Sequence, residues 1–214
     1  MRPKNLLKNN SITMVDGKKE VIKVVGTPFG LLTRIWCRHE AECLLKLAEL
    51  GFEGAPKLIS STGNSFIMEK IEGKSLNGRQ FRQFCDEQVF LRVLDVVRQL
   101  HAFGFAHGNL HPSNILITDR SEPVLIDFET CLQRPNPLFF LFKFSDHVRL
   151  HLLWQLRFGP SHKDRMRTLF PRYVTLAMFI ITPVNKFFRV LKSNKRRWRR
   201  SRKVSAEQRD SSSV

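Results

Sequence analysis

The sequence predicts an α+β fold of two lobes, a small β-rich one followed by a mainly helical one. Two observations predict it. Up to about residue 71 the local signals run strand, strand, helix, strand, strand, and after Gly73 they turn mainly helical. The chain also has 214 residues, 42% of them hydrophobic with 18 Phe, enough to build a core but sized for one ordinary domain or two small lobes sharing a cleft.

The first element is a hairpin. Ser11–Val15 and Glu20–Val25 flank Asp16-Gly17, a pair suited to a tight turn because glycine accepts positive φ. From about Thr33 to Leu50 the apolar residues Ile35, Cys43, Leu44, Leu47 and Leu50 recur at helical spacing, and Gly51 ends the segment. Lys57–Ser60 and Ser65–Glu69 form a second antiparallel pair around Thr62-Gly63-Asn64. In the second lobe a helix is expected from Phe81 to Phe103, with Phe90, Leu94, Val97, Leu100 and His101 along one face. Residues 107–117 read as a loop entering a strand, and Val124–Phe128 as the returning strand. After Pro135-Asn136-Pro137 come an aromatic helix, about Phe139 to Leu156, and a last apolar helix, about Val174 to Leu191.

Composition excludes several classes. Cys37, Cys43, Cys85 and Cys131 show no C-x-x-C spacing, so neither a disulfide scaffold nor a structural zinc site is expected, and the thiols read as buried or idle in a reduced compartment. The N-terminus carries no apolar run of signal-peptide length, which predicts a cytoplasmic protein. The net charge of +17 is uneven: residues 151–214 hold 16 basic and 3 acidic side chains, leaving 20 and 16 for residues 1–150. The positive C-terminal part speaks to an anionic partner.

The chemistry concentrates in 107–117 and 124–129. Asn114 and Asp127 stand thirteen residues apart, each at the edge of an apolar β-type run. A hairpin-like return would set an amide oxygen and a carboxylate side by side, a pairing suited to Mg²⁺ with phosphate oxygens and water. Asn109, five residues before Asn114, sits where a group orienting a substrate hydroxyl would be expected. Upstream, Lys23 in a strand and Glu40 in the next helix make a Lys–Glu pair of the kind aimed at phosphates in phosphoryl transfer. Glu42 rivals Glu40 but points to nearly the opposite helix face.

Together these segments resemble the protein-kinase-like superfamily, in its small bacterial-type and atypical branches: the lipopolysaccharide (Kdo) kinases and the RIO-like kinases. HGNLHPSNIL at 107–116 resembles their catalytic loop H-G-D-L-H-x-x-N-I-L, and LIDFE at 125–129 their metal-binding strand. VIKVV at 21–25 resembles the strand of the ATP lysine, and RHEAECLLKLAELGFEGAPKLI at 38–59 the helix of its partner Glu and the strand after it. FIMEKIEGKSL at 66–76 resembles the hinge, with backbone near Glu69 and Ile71 meeting adenine. The resemblance covers about residues 11–158 and implies a two-lobed kinase-like fold, with lobes at 1–71 and 72–185; composition marks 186–214 as a basic tail expected to be partly disordered. It implies ATP and Mg²⁺ as cofactors, with Lys23 on the phosphates, Glu40 orienting it, and Asn114 and Asp127 on the metal. Asp146 resembles the buried Asp that braces the catalytic loop, against the alternative of a solvated helix residue.

This chain departs from the family pattern in three ways. Asn109 stands where the family has the Asp that orients or deprotonates the acceptor, and an amide cannot take a proton as a carboxylate does. No G-x-G-x-x-G loop precedes Lys23. Only about ten residues separate Asp127 from the next helix, which leaves no room for a long activation segment and resembles the small-molecule and glycan kinases.

From Lys186 to Lys203 ten of eighteen residues are basic and none acidic, interleaved with Phe187, Phe188 and Trp198. That composition suits a helix on an anionic membrane surface, each cation near it worth about 1 kcal/mol. Nucleic acid is the weaker alternative. The expectation is therefore a phosphotransferase of lipopolysaccharide-kinase type. It would act on a glycan or lipid-linked hydroxyl, peripheral on the cytoplasmic membrane face. The alternative is a pseudokinase serving as a binding or scaffold module.

Overall fold

β1 (Asn10–Met14) and β2 (Glu20–Val25) pair antiparallel, with Ile12 opposite Lys23. They are the arms of the expected hairpin, whose turn at Asp16-Gly17 lies outside the residues described. The computed structural model describes residues 10–14, 20–25, 30–62, 65–77 and 84–159, together with 165, 168–174 and 176–177. The chain divides into two compact units, 1–162 and 163–214. In the second, 172–174 and 176–177 are helical. The rest of the expected last helix and all of the basic tail lie outside the described residues.

Helix α1 (Gly30–Glu49) follows. Its inward stripe is Cys37, Glu40, Ala41, Cys43, Leu44 and Leu47, the three-and-four spacing of a helix packed on one side. Ile35 and Leu50, expected on that stripe, are 54% and 46% exposed, because 35 falls off the 37–40–44–47 row and 50 lies beyond the helix end. Gly51, with φ of 75°, takes the left-handed conformation that closes the helix. β3 (Leu58–Thr62) and β4 (Ser65–Glu69) are antiparallel, and β4 also pairs with β2, placing Lys23 opposite Phe66. The sheet order is β1-β2-β4-β3, with Phe66 buried.

The second half is organised by two helices. α2 (Glu87–Ala102) begins later than Phe81 because Asp86 caps it, its carboxylate accepting the Val89 N–H at 2.8 Å. Its buried face is Phe90, Val93, Leu94, Val97, Leu100 and His101, the face expected from spacing. α3 (Phe139–Phe158) buries Phe139, Asp146, His147, Leu150, His151, Leu153 and Trp154. The Phe90 and Trp154 rings meet edge to face at 5.0 Å. Both rings are fully buried, the setting in which each aromatic contributes most.

Between these helices lie short strands. β5 (Lys74–Ser75), β7 (Ile115–Ile117) and β8 (Pro123–Leu125) form one antiparallel sheet in the order β5-β7-β8. β8 is shorter than expected: regular pairing stops at Leu125, two residues before Asp127, whose positive φ of 69° turns the backbone out of the strand. β6 (Phe105–Ala106) pairs with β9 (Leu132–Gln133). No helix among the described residues is long and apolar enough to cross a membrane.

Two histidines on α3 carry a pH dependence. Burial pushes His147 down to about 4, helped by His101 nearby, and burial alone pushes His151 down to about 4. A histidine whose native pKa lies below its unfolded value of about 6.5 binds fewer protons when folded, so stability is full above that value and declines toward pH 4. The thermal midpoint should fall between pH 7 and pH 5, and the fall should shrink in the His147→Leu/His151→Leu double variant. An equal fall in both proteins would remove these histidines as its source.

Candidate functional site

The loop at 107–114 is held from beneath by one buried carboxylate. Asp146, wholly buried on α3, accepts the His107 N–H at 2.8 Å on Oδ2 and the Gly108 N–H at 3.0 Å on Oδ1. His101 Nε2 on α2 reaches Oδ2 at 3.1 Å. The Asp146 of the brace reading, not the solvated one, is what the fold contains. His107 is buried as well: its Nε2 meets the Ile126 carbonyl at 3.0 Å and its ring lies 4.9 Å from that of Phe128. Desolvation lowers its pKa, which keeps the ring neutral. Thr130 Oγ1 donates to the His107 carbonyl at 3.1 Å. Sequence reasoning missed Thr130 and also the part played by Gly108. At φ 75°, a Cβ on Gly108 would stand 2.1 Å from a Phe142 ring carbon and 2.8 Å from the Thr130 carbonyl oxygen.

The upper loop turns through a short 3-10 segment, Pro112–Asn114, started by the His111 ring accepting the Ser113 N–H. Asn114 Nδ2 donates to the Asn109 carbonyl at 2.9 Å, and Asn114 Oδ1 accepts from Ser113 Oγ at 3.2 Å. The chain then enters β7, returns in β8, and the Ile126 N–H donates to the Asn114 carbonyl at 2.9 Å. Thus the backbones of Asn114 and of the residue preceding Asp127 are directly bonded, and the chain makes the hairpin-like return. Asn109 lies on the same loop, its N–H 3.4 Å from His107 Nδ1. No group of three or more His, Cys, Asp or Glu able to hold a metal occurs among the described residues. Asn114 Oδ1 and the Asp127 carboxylate are the oxygen donors that would be offered to a Mg²⁺ completed by phosphate and water.

Glu40 and Glu42 are separated cleanly. Glu40 is 2% exposed and its Oε1 accepts the Phe128 N–H at 3.2 Å, so it faces the segment that carries Asp127. Glu42 points outward and pairs with Arg38 at 2.8 Å, both ends in water. Lys23 lies in β2, its backbone opposite Phe66, and its side chain lies outside what the structure describes. At the expected hinge the Glu69 N–H donates to the Lys57 carbonyl at 2.9 Å. Ile71 follows β4 in open chain, partly exposed.

Removing the brace should be costly because both Asp146 oxygens are engaged and neither can reach water. Asp146→Asn exchanges one accepting oxygen for a donor facing an N–H, with an expected loss of about 1–3 kcal/mol in denaturant unfolding. Gly108→Ala should cost at least about 2 kcal/mol through backbone strain and the Phe142 clash. Wild-type stability in both variants would show that the loop is held elsewhere.

Comparison with known proteins agrees with this geometry. The RIO domain family matches residues 18–147. The RIO-type serine/threonine-protein kinase Rio2 of Methanocaldococcus jannaschii is 24% identical over 110 residues, covering 50% of this chain and 40% of that protein. The EKC/KEOPS complex subunit BUD32 of Encephalitozoon cuniculi is 35% identical over 79 residues, or 37% of this chain and 40% of the relative. The chain therefore spans about two-fifths of the length of these curated relatives. The crystal structure of the Rio2 kinase-ADP/Mg²⁺-phosphoaspartate complex from Chaetomium thermophilum superposes with a TM-score of 0.56 at 18% identity. That match covers 74% of this chain and 57% of that one, and it shows the two-lobed kinase-like fold. With that family matched over residues 18–147, more than half of the sequence, the chain belongs to the RIO domain family.

Proposed function

We propose that this chain binds Mg·ATP in the cleft and transfers the terminal phosphoryl group to a hydroxyl, at a rate held down by Asn109. The observation that supports this reading is the 2.9 Å bond from the Ile126 N–H to the Asn114 carbonyl, which makes the residue before Asp127 a backbone neighbour of Asn114, so that the Asn114 amide and the Asp127 carboxylate would share one mouth. There they would hold the metal. Lys23 would meet the phosphates. Glu40 would orient it from α1, and backbone near Glu69 and Ile71 would meet the base. Bound Mg·ATP supplies the phosphoryl group and its charge neutralisation, and the protein supplies position. Support for the cofactor comes also from the Rio2 structure, a complex with ADP and Mg²⁺.

Asn109 takes the place we assign to the family's acceptor-orienting Asp. Its amide can orient a hydroxyl through its oxygen but cannot accept the proton. That same residue favours a second reading, a nucleotide-binding module without turnover. The loop is built without calling on the Asn109 side chain, since its backbone carbonyl serves Asn114.

For the acceptor we propose a glycan or lipid-linked hydroxyl at the cytoplasmic membrane face, in the manner of the lipopolysaccharide kinases. The support is the short connection from Asp127 to α3 and the cationic, aromatic composition of Lys186–Lys203. The name of the archaeal relative makes a protein hydroxyl the rival. Full-length chain should sediment with anionic vesicles and a chain ending at residue 185 should not. Label from γ-labelled ATP should enter lipid extract, and label confined to protein would overturn the acceptor.

The nucleotide site is tested by thermal unfolding with and without millimolar Mg·ATP. Ligand at about a hundred times Kd adds about 2.7 kcal/mol, a Tm rise of roughly 5–10 °C for a chain of this size. Asp127→Asn, which keeps the residue type tolerant of positive φ, should abolish the magnesium-dependent rise and leave the ligand-free Tm nearly unchanged. A full rise in the variant contradicts the metal assignment. Asn109→Asp should raise phosphoryl transfer about 10²-fold or more, and no gain favours the module without turnover.

A further inference from the structure

Away from the cleft mouth, two cysteines far apart in sequence come together beside a histidine. Cys43 is on α1 and Cys131 is the fourth residue after Asp127, and both are buried. Their thiols are near enough for each to act on the other's ionisation. His39, one turn before Cys43, places Nε2 at 2.6 Å from the Cys131 carbonyl and 3.7 Å from Cys43 Sγ. His39 is partly exposed, so the cluster reaches the surface through this ring.

We infer that Cys43 and Cys131 form a peroxide-reactive dithiol that closes to a disulfide. Cys43 is the attacking sulfur. The nearby Cys131 thiol is the chief influence lowering its pKa, and the His39 ring, 3.7 Å from Sγ, and the Lys46 cation add to it against burial. His39 is correspondingly raised, chiefly by its bond to Cys43, which describes a thiolate–imidazolium pair. Cys131 is pushed up by its bond to Cys43, by burial and by Asp146, so it stays protonated as the resolving thiol. At Cys85 burial outweighs the Arg157 guanidinium beside it and pushes the thiol up to about 11.

The reaction balances with a hydroperoxide as oxidant. The Cys43 thiolate attacks one peroxide oxygen, an S–O bond forms, the O–O bond breaks, and the leaving alkoxide or hydroxide takes a proton from the His39 imidazolium. Cys43 is then a sulfenic acid. The Cys131 sulfur attacks the Cys43 sulfur and displaces hydroxide, which leaves as water with the Cys131 proton. Two thiols lose two electrons and the peroxide gains them. The sulfurs must close to about 2.05 Å. The resulting bond fastens the helix of Glu40 to the segment following Asp127, which are already joined by Glu40 to Phe128 N and by Lys46 to Gln133 at 3.0 Å.

The test treats the folded full chain with hydrogen peroxide at pH 7, alkylates the remaining thiols and maps peptides by mass spectrometry. A Cys43–Cys131 linked peptide, about 2 Da lighter than its two halves and released by dithiothreitol, is expected, with Cys85 still alkylated. His39→Gln should slow its formation about tenfold. Cys131→Ser should leave a Cys43 sulfenic acid trapped by a 1,3-dione, while the linked peptide in the unaltered chain decides the matter should this variant fail to fold. Linkage through Cys37 or Cys85, Cys43 running on to sulfinic acid with Cys131 untouched, or four unreacted thiols would each overturn the inference.

Discussion

The structure depends on how a fully buried carboxylate is satisfied. An isolated charge in a protein interior is expensive, and Asp146 is tolerated because its two oxygens accept two consecutive backbone N–H groups and a histidine. This arrangement dictates more than its own stability. To present both N–H groups to one carboxylate, the chain at His107-Gly108 must turn through a left-handed conformation, and Phe142 packs where a side chain would otherwise be. The turn sends His107 down onto Ile126 and Phe128, and Asn109 up toward Asn114. Helices α2 and α3 are joined at the same point, through His101 and Asp146, so the helical core and the loop share one anchor.

A second set of contacts ties α1 to the residues that follow Asp127. Glu40 takes the Phe128 N–H, His39 meets the Cys131 carbonyl, and Lys46 bonds Gln133. These three positions, 39/40, 43 and 46 with the thiol pair included, fall on successive turns of one helix face. A shift of α1 along its axis would break all of them together. The backbone at Asp127 is thus fixed from two sides: β7–β8 pairing sets its approach, and α1 holds the chain that leaves it. A residue with positive φ persists when its surroundings over-determine it, and here they do.

Much of this was legible in the sequence because it is local. Asp16-Gly17 between two β-branched runs and the spacing of Phe90, Leu94, Val97 and Leu100 each announce an element within a dozen residues. The return from Asn114 to Asp127 was legible for the same reason, since a thirteen-residue hairpin brings its ends together whatever else the chain does. The Glu40 and Glu42 alternatives could be posed from helical geometry but resolved only by the segment lying 88 residues on. The need for glycine at 108 is not legible locally, because Phe142 and Thr130, which make it necessary, are far off in sequence. The cysteines read as idle for the same reason: with no short spacing between them, nothing local shows that Cys43 and Cys131 meet. Helix ends were blurred where a cap outweighs the apolar pattern, as Asp86 does for α2.

The central claim is that Asn114 and Asp127 form one metal mouth, and the most direct measurement is a crystal structure of the chain with Mn²⁺ and a non-hydrolysable ATP analogue. Anomalous scattering should place manganese about 2.1–2.2 Å from Asn114 Oδ1 and an Asp127 carboxylate oxygen, bridging to the phosphates. Nucleotide bound with its metal away from both residues, or no nucleotide in the cleft at saturating concentration, would contradict the account.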